Sequence, residues 1–193
     1  MSICALSLNS VNHSSTYKLR VGIDSGASVS VFPETECTDY PLLQTPTTGR
    51  KLTSATGHVA IEKGMKHIMG SAGGSPKTRC LRMRAMNVKK ALMSVFDMVE
   101  TGHRVVFDKE DGQDVSHAFN KTTGEKTKFI LRNNVWELDV DVIPFKDLTK
   151  NPELKKFATS VCSLDGVRNA AIRKKPAGEP ITGPMFFKRL DLP

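Results

Sequence analysis

No stretch of this 193-residue chain approaches the roughly 18–20 consecutive apolar residues that a bilayer span requires, so a membrane-spanning protein is not expected. Aromatic residues are scarce, at 6% with a single tryptophan, Trp136, yet a 39% hydrophobic share is enough for one core. Cysteine is equally sparse. Cys4, Cys37, Cys80 and Cys162 form no C-x-x-C pair, and no Cys or His pair has zinc-ligand spacing, so no metal site is expected. The first fifteen residues carry no basic start ahead of their short apolar stretch, which argues against a secretory signal and for reduced, partly buried thiols. "GSAGGSPKT" has Pro76 where a phosphate loop needs glycine before lysine, and "GIDSG" has Asp24 where a nucleophile elbow needs serine.

Basic residues are plentiful by comparison. The formal net charge is +8, and residues 146–193 hold 10 basic against 5 acidic side chains. Such a tail suits weak contact with RNA or DNA phosphates, or simply a solvated linker. The segmentation is 1–16, a polar, flexible N-terminal stretch; 17–145, one domain; and 146–193, a basic tail in which Asn151 and Pro152 open a short helix lined by Leu154, Phe157 and Val161.

Strand-like alternation dominates the domain. Tyr17, Leu19, Val21 and Ile23 alternate with Lys18, Arg20, Gly22 and Asp24, and Val29 and Val31 resume the period until Pro33. Lys51–Gly64 reads as a hairpin bending at Ala55, Thr56 and Gly57, and Gly70–Pro76 as a loop. Leu81, Met83 and Ala85 mark another strand, with a bulge near Met86–Val88. Leu92, Val95, Phe96 and Val99 recur at helical spacing, with Gly102 as the stop. Val105–Phe107, Val115–Phe119, Lys126–Leu131 and Val135–Val142 read as an antiparallel meander, with Trp136, Leu138, Val140 and Val142 on one face. The methionines between Met83 and Met98 read as core filling.

Asp24-Ser25-Gly26 sits between two apolar runs. Asp, Ser and Gly commonly make a tight turn. A carboxylate at a strand tip can also activate water when a second carboxylate lies beside it, the pair sharing one proton. The chain has no second Asp-Ser/Thr-Gly, because Asp111-Gly112 and Asp165-Gly166 lack the hydroxyl. A partner carboxylate would therefore come from another copy across a twofold axis.

"IDSGASVSVFPE" resembles the active-site segment of retropepsin-like aspartic proteases, above all those of retrotransposon polyproteins of the Copia-like and retroviral type. "KLTSATGHVAIEKG" resembles their flap hairpin, "MRAMNVKKALMSVFDMVETGHRVVF" their later strand, short helix and following strand, and "GEKTKFILRNNVWELDVDV" their closing strands. The likeness spans roughly residues 17–143. In one place the pattern departs: Leu92–Ser94 stands where the family usually carries two apolar residues and a glycine. The resemblance implies a mainly β fold, a closed barrel or sandwich with a flap hairpin and one short helix, active as a twofold homodimer. It assigns catalysis to Asp24, with Ser25 steadying the loop and Gly26 allowing close approach, and peptide binding to Ala27, Ala55, Thr56 and Gly57. It implies a polypeptide substrate, no cofactor and no metal, and polyprotein processing in the cytoplasm, within a virus-like particle. The rival expectation is an inactive remnant of the same fold, serving as a dimerisation, peptide-binding or nucleic-acid-associated module.

Overall fold

The computed structural model describes residues 4–5, 17–54, 56–75, 77–148, 150–152 and 154–156. In chain order the elements are β1 (Cys4–Ala5), β2 (Tyr17–Asp24), β3 (Val31–Pro33), β4 (Lys51–Thr53), β5 (Val59–Ala72), β6 (Thr78–Met86), β7 (Ala91–Ser94), α1 (Val95–Glu100), β8 (His103–Val106), β9 (Lys109–Glu110), β10 (Gln113–Asp114), β11 (His117–Asn120), β12 (Lys126–Lys128), β13 (Ile130–Arg132), β14 (Val135–Val142) and α2 (Phe145–Leu148). The chain is mainly β. Its large mixed sheet runs β6-β3-β7-β2-β14-β5, and β5 pairs back to β6, so six strands close a ring. β4 extends β5, β13 extends β14, and β1 lies on β6. Among the described residues no helix is long and apolar enough to cross a membrane.

Alternation places Leu19, Val21 and Ile23 of β2 and Leu138, Val140 and Val142 of β14 in one core with Ile68, Leu81 and Phe32. Each such side chain fully buried contributes about 1.5–3 kcal/mol. Met69, Met83, Met86, Met93 and Met98 are all buried, the gap-filling role expected of flexible thioethers. Cys37 and Cys80 are both buried. The Lys66 ammonium is buried too. It donates to the carbonyls of Glu34 (3.0 Å), Glu36 (2.6 Å) and Cys37 (3.3 Å), pinning the loop after β3. Tyr40 donates its hydroxyl to the Ile143 carbonyl at 2.5 Å and accepts the Met69 N–H at 3.2 Å, tying that loop to β5 and the end of β14.

Several expectations shift. Cys4–Ala5, expected in a flexible segment, pairs with Arg79 and Cys80 of β6. Gly70–Ala72 is strand, not loop. A Cβ at Gly70 would come 2.5 Å from the Asp141 carbonyl oxygen, so glycine is what lets β5 and β14 approach. Pro76 lies outside the described residues. The bulge falls on β5, between Glu62 and Gly64 opposite Met86 and Ala85, rather than in Met86–Val88. Gly64 has φ +145 there, and a side chain would meet the Leu43 carbonyl. Leu92 belongs to β7, and α1 buries Met98 while Phe96 and Val99 are exposed, because Ser94 caps the helix three residues later than the apolar period suggested. The meander divides: β12-β11-β8 form a separate three-stranded sheet, β9 and β10 pair with each other, and β14 returns to the ring.

Packing runs past residue 145. Phe145 stacks edge-on against Tyr40 at 5.4 Å, and its N–H donates to Asp39 Oδ2 at 2.8 Å. Leu148 and Leu154 are buried in the main core, and Asn151 caps the turn, its Oδ1 accepting the Leu154 N–H at 3.2 Å. Phe157 and Val161 lie outside the described residues. A buried leucine truncated to alanine costs about 2–5 kcal/mol. A chain ending at Phe145 should therefore unfold at much lower urea than one ending after Lys156. Equal midpoints would show that the two leucines add nothing.

His103 is buried between α1 and β11. Its Nδ1–H donates to the Met98 carbonyl at 3.2 Å, and Nε2 accepts from Asn120 Nδ2 at 3.3 Å, which fixes the neutral ring. Burial pushes its pKa below the ordinary 6.5. Below pH 6.5 the unfolded chain takes up this proton before the folded one does, so stability falls as pH drops through that value. Glu125 and Asp139, held low by Lys77 and Arg132, act further down, below their ordinary 4.5 and 3.8. Urea midpoints should decline between about pH 7.5 and 5.5, and His103→Gln should flatten that decline. An unchanged slope in the variant would assign it to other groups.

Candidate active site

β7 is inserted between β2 and β3. It runs parallel to β2, with Asp24 opposite Ser94, and antiparallel to β3, with Val31 opposite Leu92. The chain leaves β2, crosses the end of β7 and returns as β3. Residues 24–30 thus form a loop seated where β7 becomes α1.

The loop is organised from inside and from beneath. Asp24 Oδ1 accepts the N–H of Gly26 at 2.7 Å and of Ala27 at 3.2 Å, which sets the carboxylate's orientation. Beneath it, Ser94 is fully buried and does three things. Its hydroxyl donates to the Ala27 carbonyl at 2.5 Å and accepts the Asp97 N–H at 3.2 Å, and its own N–H donates to Ser30 Oγ at 3.0 Å. Asp97, in the first turn of α1, accepts the Ser30 N–H through Oδ2 at 2.7 Å. Where the resemblance led to glycine, the serine both caps the helix and ties down the loop.

Ser25 and Gly26 are exposed at the tip. A Cβ built on Gly26 would meet nothing closer than its neighbour's Asp24 Oδ1, at 3.4 Å. Among the described residues, then, no contact demands glycine at this position.

The expected peptide-binding residues divide in two. Ala27 belongs to the clamped loop. Thr56 and Gly57 form the bend between β4 and β5, and Ala55 lies outside the described residues. Gly57 has φ +81 and donates its N–H to the Ser54 carbonyl at 2.9 Å, while Ser54 Oγ accepts the His58 N–H at 3.1 Å. Val59 and Ile61 are 44% and 36% exposed on one face of this hairpin. On the other face Glu62 is fully buried. It accepts the Thr45 and Thr47 hydroxyls at 3.2 and 2.6 Å and pairs with Arg84 at 3.3 Å, anchoring the hairpin stem to the body.

A groove of about 630 Å³ opens elsewhere, against Tyr17, Arg20, Glu36, Cys37 and Arg132. It sits at the start of β2, about 20 Å from Asp24 at the rise of a strand. Arg132 there is engaged by Asp139 (2.6 Å) and Glu137 (3.1 Å). Ser30, Ser94 and Asp97 were not among the expected site residues. The trace they leave in the sequence is Ser94-x-x-Asp97, a helix-start pattern. No family model, curated protein or solved structure matches the chain.

Proposed function

We propose that this chain is a retropepsin-like aspartic endopeptidase, working as a twofold homodimer in which the two Asp24 carboxylates face each other. One carboxylate takes a proton from water as its oxygen attacks the scissile carbonyl, while the protonated partner donates to the carbonyl oxygen. The resulting diol collapses, the amine leaves with a proton, and no covalent enzyme intermediate forms.

The observation that carries this reading is the tip itself. Asp24 is oriented by two amides on a loop clamped from below, and Ser25-Gly26 is left open. The glycine makes sense when a second loop or a substrate backbone comes close, as no neighbour among the described residues requires it. The six-stranded ring supplies a rigid base. The β4–β5 hairpin, stiff at Glu62 and apolar at Val59 and Ile61, supplies a cover under which an extended peptide gains main-chain hydrogen bonds. The substrate is then a polypeptide, and the natural task is processing a retrotransposon polyprotein in the cytoplasm, within a virus-like particle.

The test is cleavage of a polypeptide substrate by the purified chain, with self-cleavage in its natural polyprotein as the second arm. Asp24→Asn should abolish both while leaving the unfolding midpoint near that of the parent. Cleavage that survives Asp24→Asn, or a folded parent that cuts nothing, would overturn the proposal.

A further inference from the structure

The small β12-β11-β8 sheet has two unlike faces. Register places Lys126, Phe119 and Arg104 in one row across the three strands and Lys128, His117 and Val106 in another. Alternation puts both rows on the same face, about 7 Å apart. The row between them, Val105, Ala118 and Thr127, points the other way. Ala118 and Thr127 are buried against the body, Thr127 bonded to the Arg79 guanidinium.

The charges within these two rows have one sign. Arg104, Lys126 and Lys128 are exposed, and the half-buried Phe119 ring lies among them, with the Arg104 guanidinium 5.2 Å from its centroid. Two of the nearby acids are turned to other partners, Glu125 to Lys77 and Arg79 and Asp114 to Ser116 and Trp136, while Asp108, exposed beyond Val106, accepts the Lys109 N–H. The basic tail, expected to touch nucleic acid, has residues 157–193 outside those described. Here residues 104, 119 and 126 are brought together only by strand pairing.

We infer that this face binds single-stranded nucleic acid, its cations holding phosphates and Phe119, with the Arg104 plane, stacking on an unpaired base. A basic patch alone takes any polyanion. An aromatic ring among the cations of one sheet face selects a strand whose base faces are free, which a duplex does not offer. The site goes beyond the proteolytic reading and does not depend on it.

The probe is a 5′-fluorescein 20-mer, as oligo(U) and as oligo(dT), titrated with the full chain by anisotropy over a salt series. Three phosphate contacts should give a log–log salt slope of about −2. Phe119→Ala should weaken binding by about fivefold to a hundredfold, with Phe119→Trp restoring it. Lys126→Gln with Lys128→Gln should reduce the slope by about 1.4. Ultraviolet cross-linking should mark the peptide containing Phe119. Unchanged affinity in all these variants, with loss on substituting Arg173, Lys174 and Lys175 by glutamine, would move the site to the tail and overturn the inference. So would equal binding of a blunt duplex or of heparin with no effect of Phe119→Ala, which describes a patch for polyanions in general. The Phe119→Trp and double-lysine variants keep the test decisive should Phe119→Ala fail to fold.

Discussion

If two Asp24 carboxylates from two chains form the proposed dyad, tenfold dilution in the range where dimers are the minority species should lower the peptide-cleavage rate about a hundredfold, because the active species would then grow with the square of total chain. The cause is a count of carboxylates. One chain offers a single Asp-Ser/Thr-Gly triplet, Asp24-Ser25-Gly26, with Ser25 and Gly26 exposed at the loop tip. A dyad needs two. At concentrations where nearly all chains are dimeric, mixing in a tenfold excess of Asp24→Asn chains should cut activity per wild-type chain to about a tenth, since random pairing places most wild-type subunits in mixed dimers. The rate should be bell-shaped in pH, because two carboxylates at close quarters share one proton and only the singly protonated pair works. Sedimentation run beside the assay decides the matter. Constant activity per chain at concentrations where only monomers sediment would falsify the shared dyad and require a second acid from the same chain.

The strand ending in Asp24 was legible because alternation is a local signal. Leu19, Val21 and Ile23 announce a buried face, and the acid ends it. Closure of the ring was not legible in the residue pattern, although the resemblance implied a closed barrel or sandwich. It depends on β5 being 14 residues long, enough to pair with β4, β14 and β6 along its length, and its far end reads as a loop because glycine and serine dominate there. Composition cannot tell a glycine that frees a loop from Gly70, which is needed where two backbones meet. The helix pattern misled for a related reason. Leu92, Val95, Phe96 and Val99 keep helical spacing across a boundary that Ser94 imposes, so the periodic residues belong to two elements. The anchoring partners of the loop stand 64 and 67 positions away, at Ser94 and Asp97, and only the insertion of β7 between β2 and β3 makes them neighbours. The same holds for the Arg104–Phe119–Lys126 row.

Those anchors carry the second large effect. If residues 24–30 hold the reacting carboxylate, its position rests on Ser94 and Asp97 through Ala27 and Ser30. Ser94→Ala removes the donor to the Ala27 carbonyl and the cap on Asp97 N–H together. Asp97→Ala removes the acceptor for Ser30 N–H. Loss of a cap or a buried hydrogen bond costs about 1–2 kcal/mol, which lowers the unfolding midpoint without unfolding the protein. The catalytic cost should be larger, about tenfold to a hundredfold in kcat, since a displacement near 1 Å is enough to spoil the attack geometry. KM should move little, because neither side chain touches the peptide. Asp97→Asn retains an oxygen that can accept from Ser30 and should recover most of the rate, which a purely structural loss would not predict. Amide exchange at Ser30 should quicken in Asp97→Ala and remain slow in Asp97→Asn, whether or not a substrate is at hand. A Ser94→Ala enzyme with parental kcat and parental exchange at Ser30 would mean that the loop holds Asp24 in place unaided.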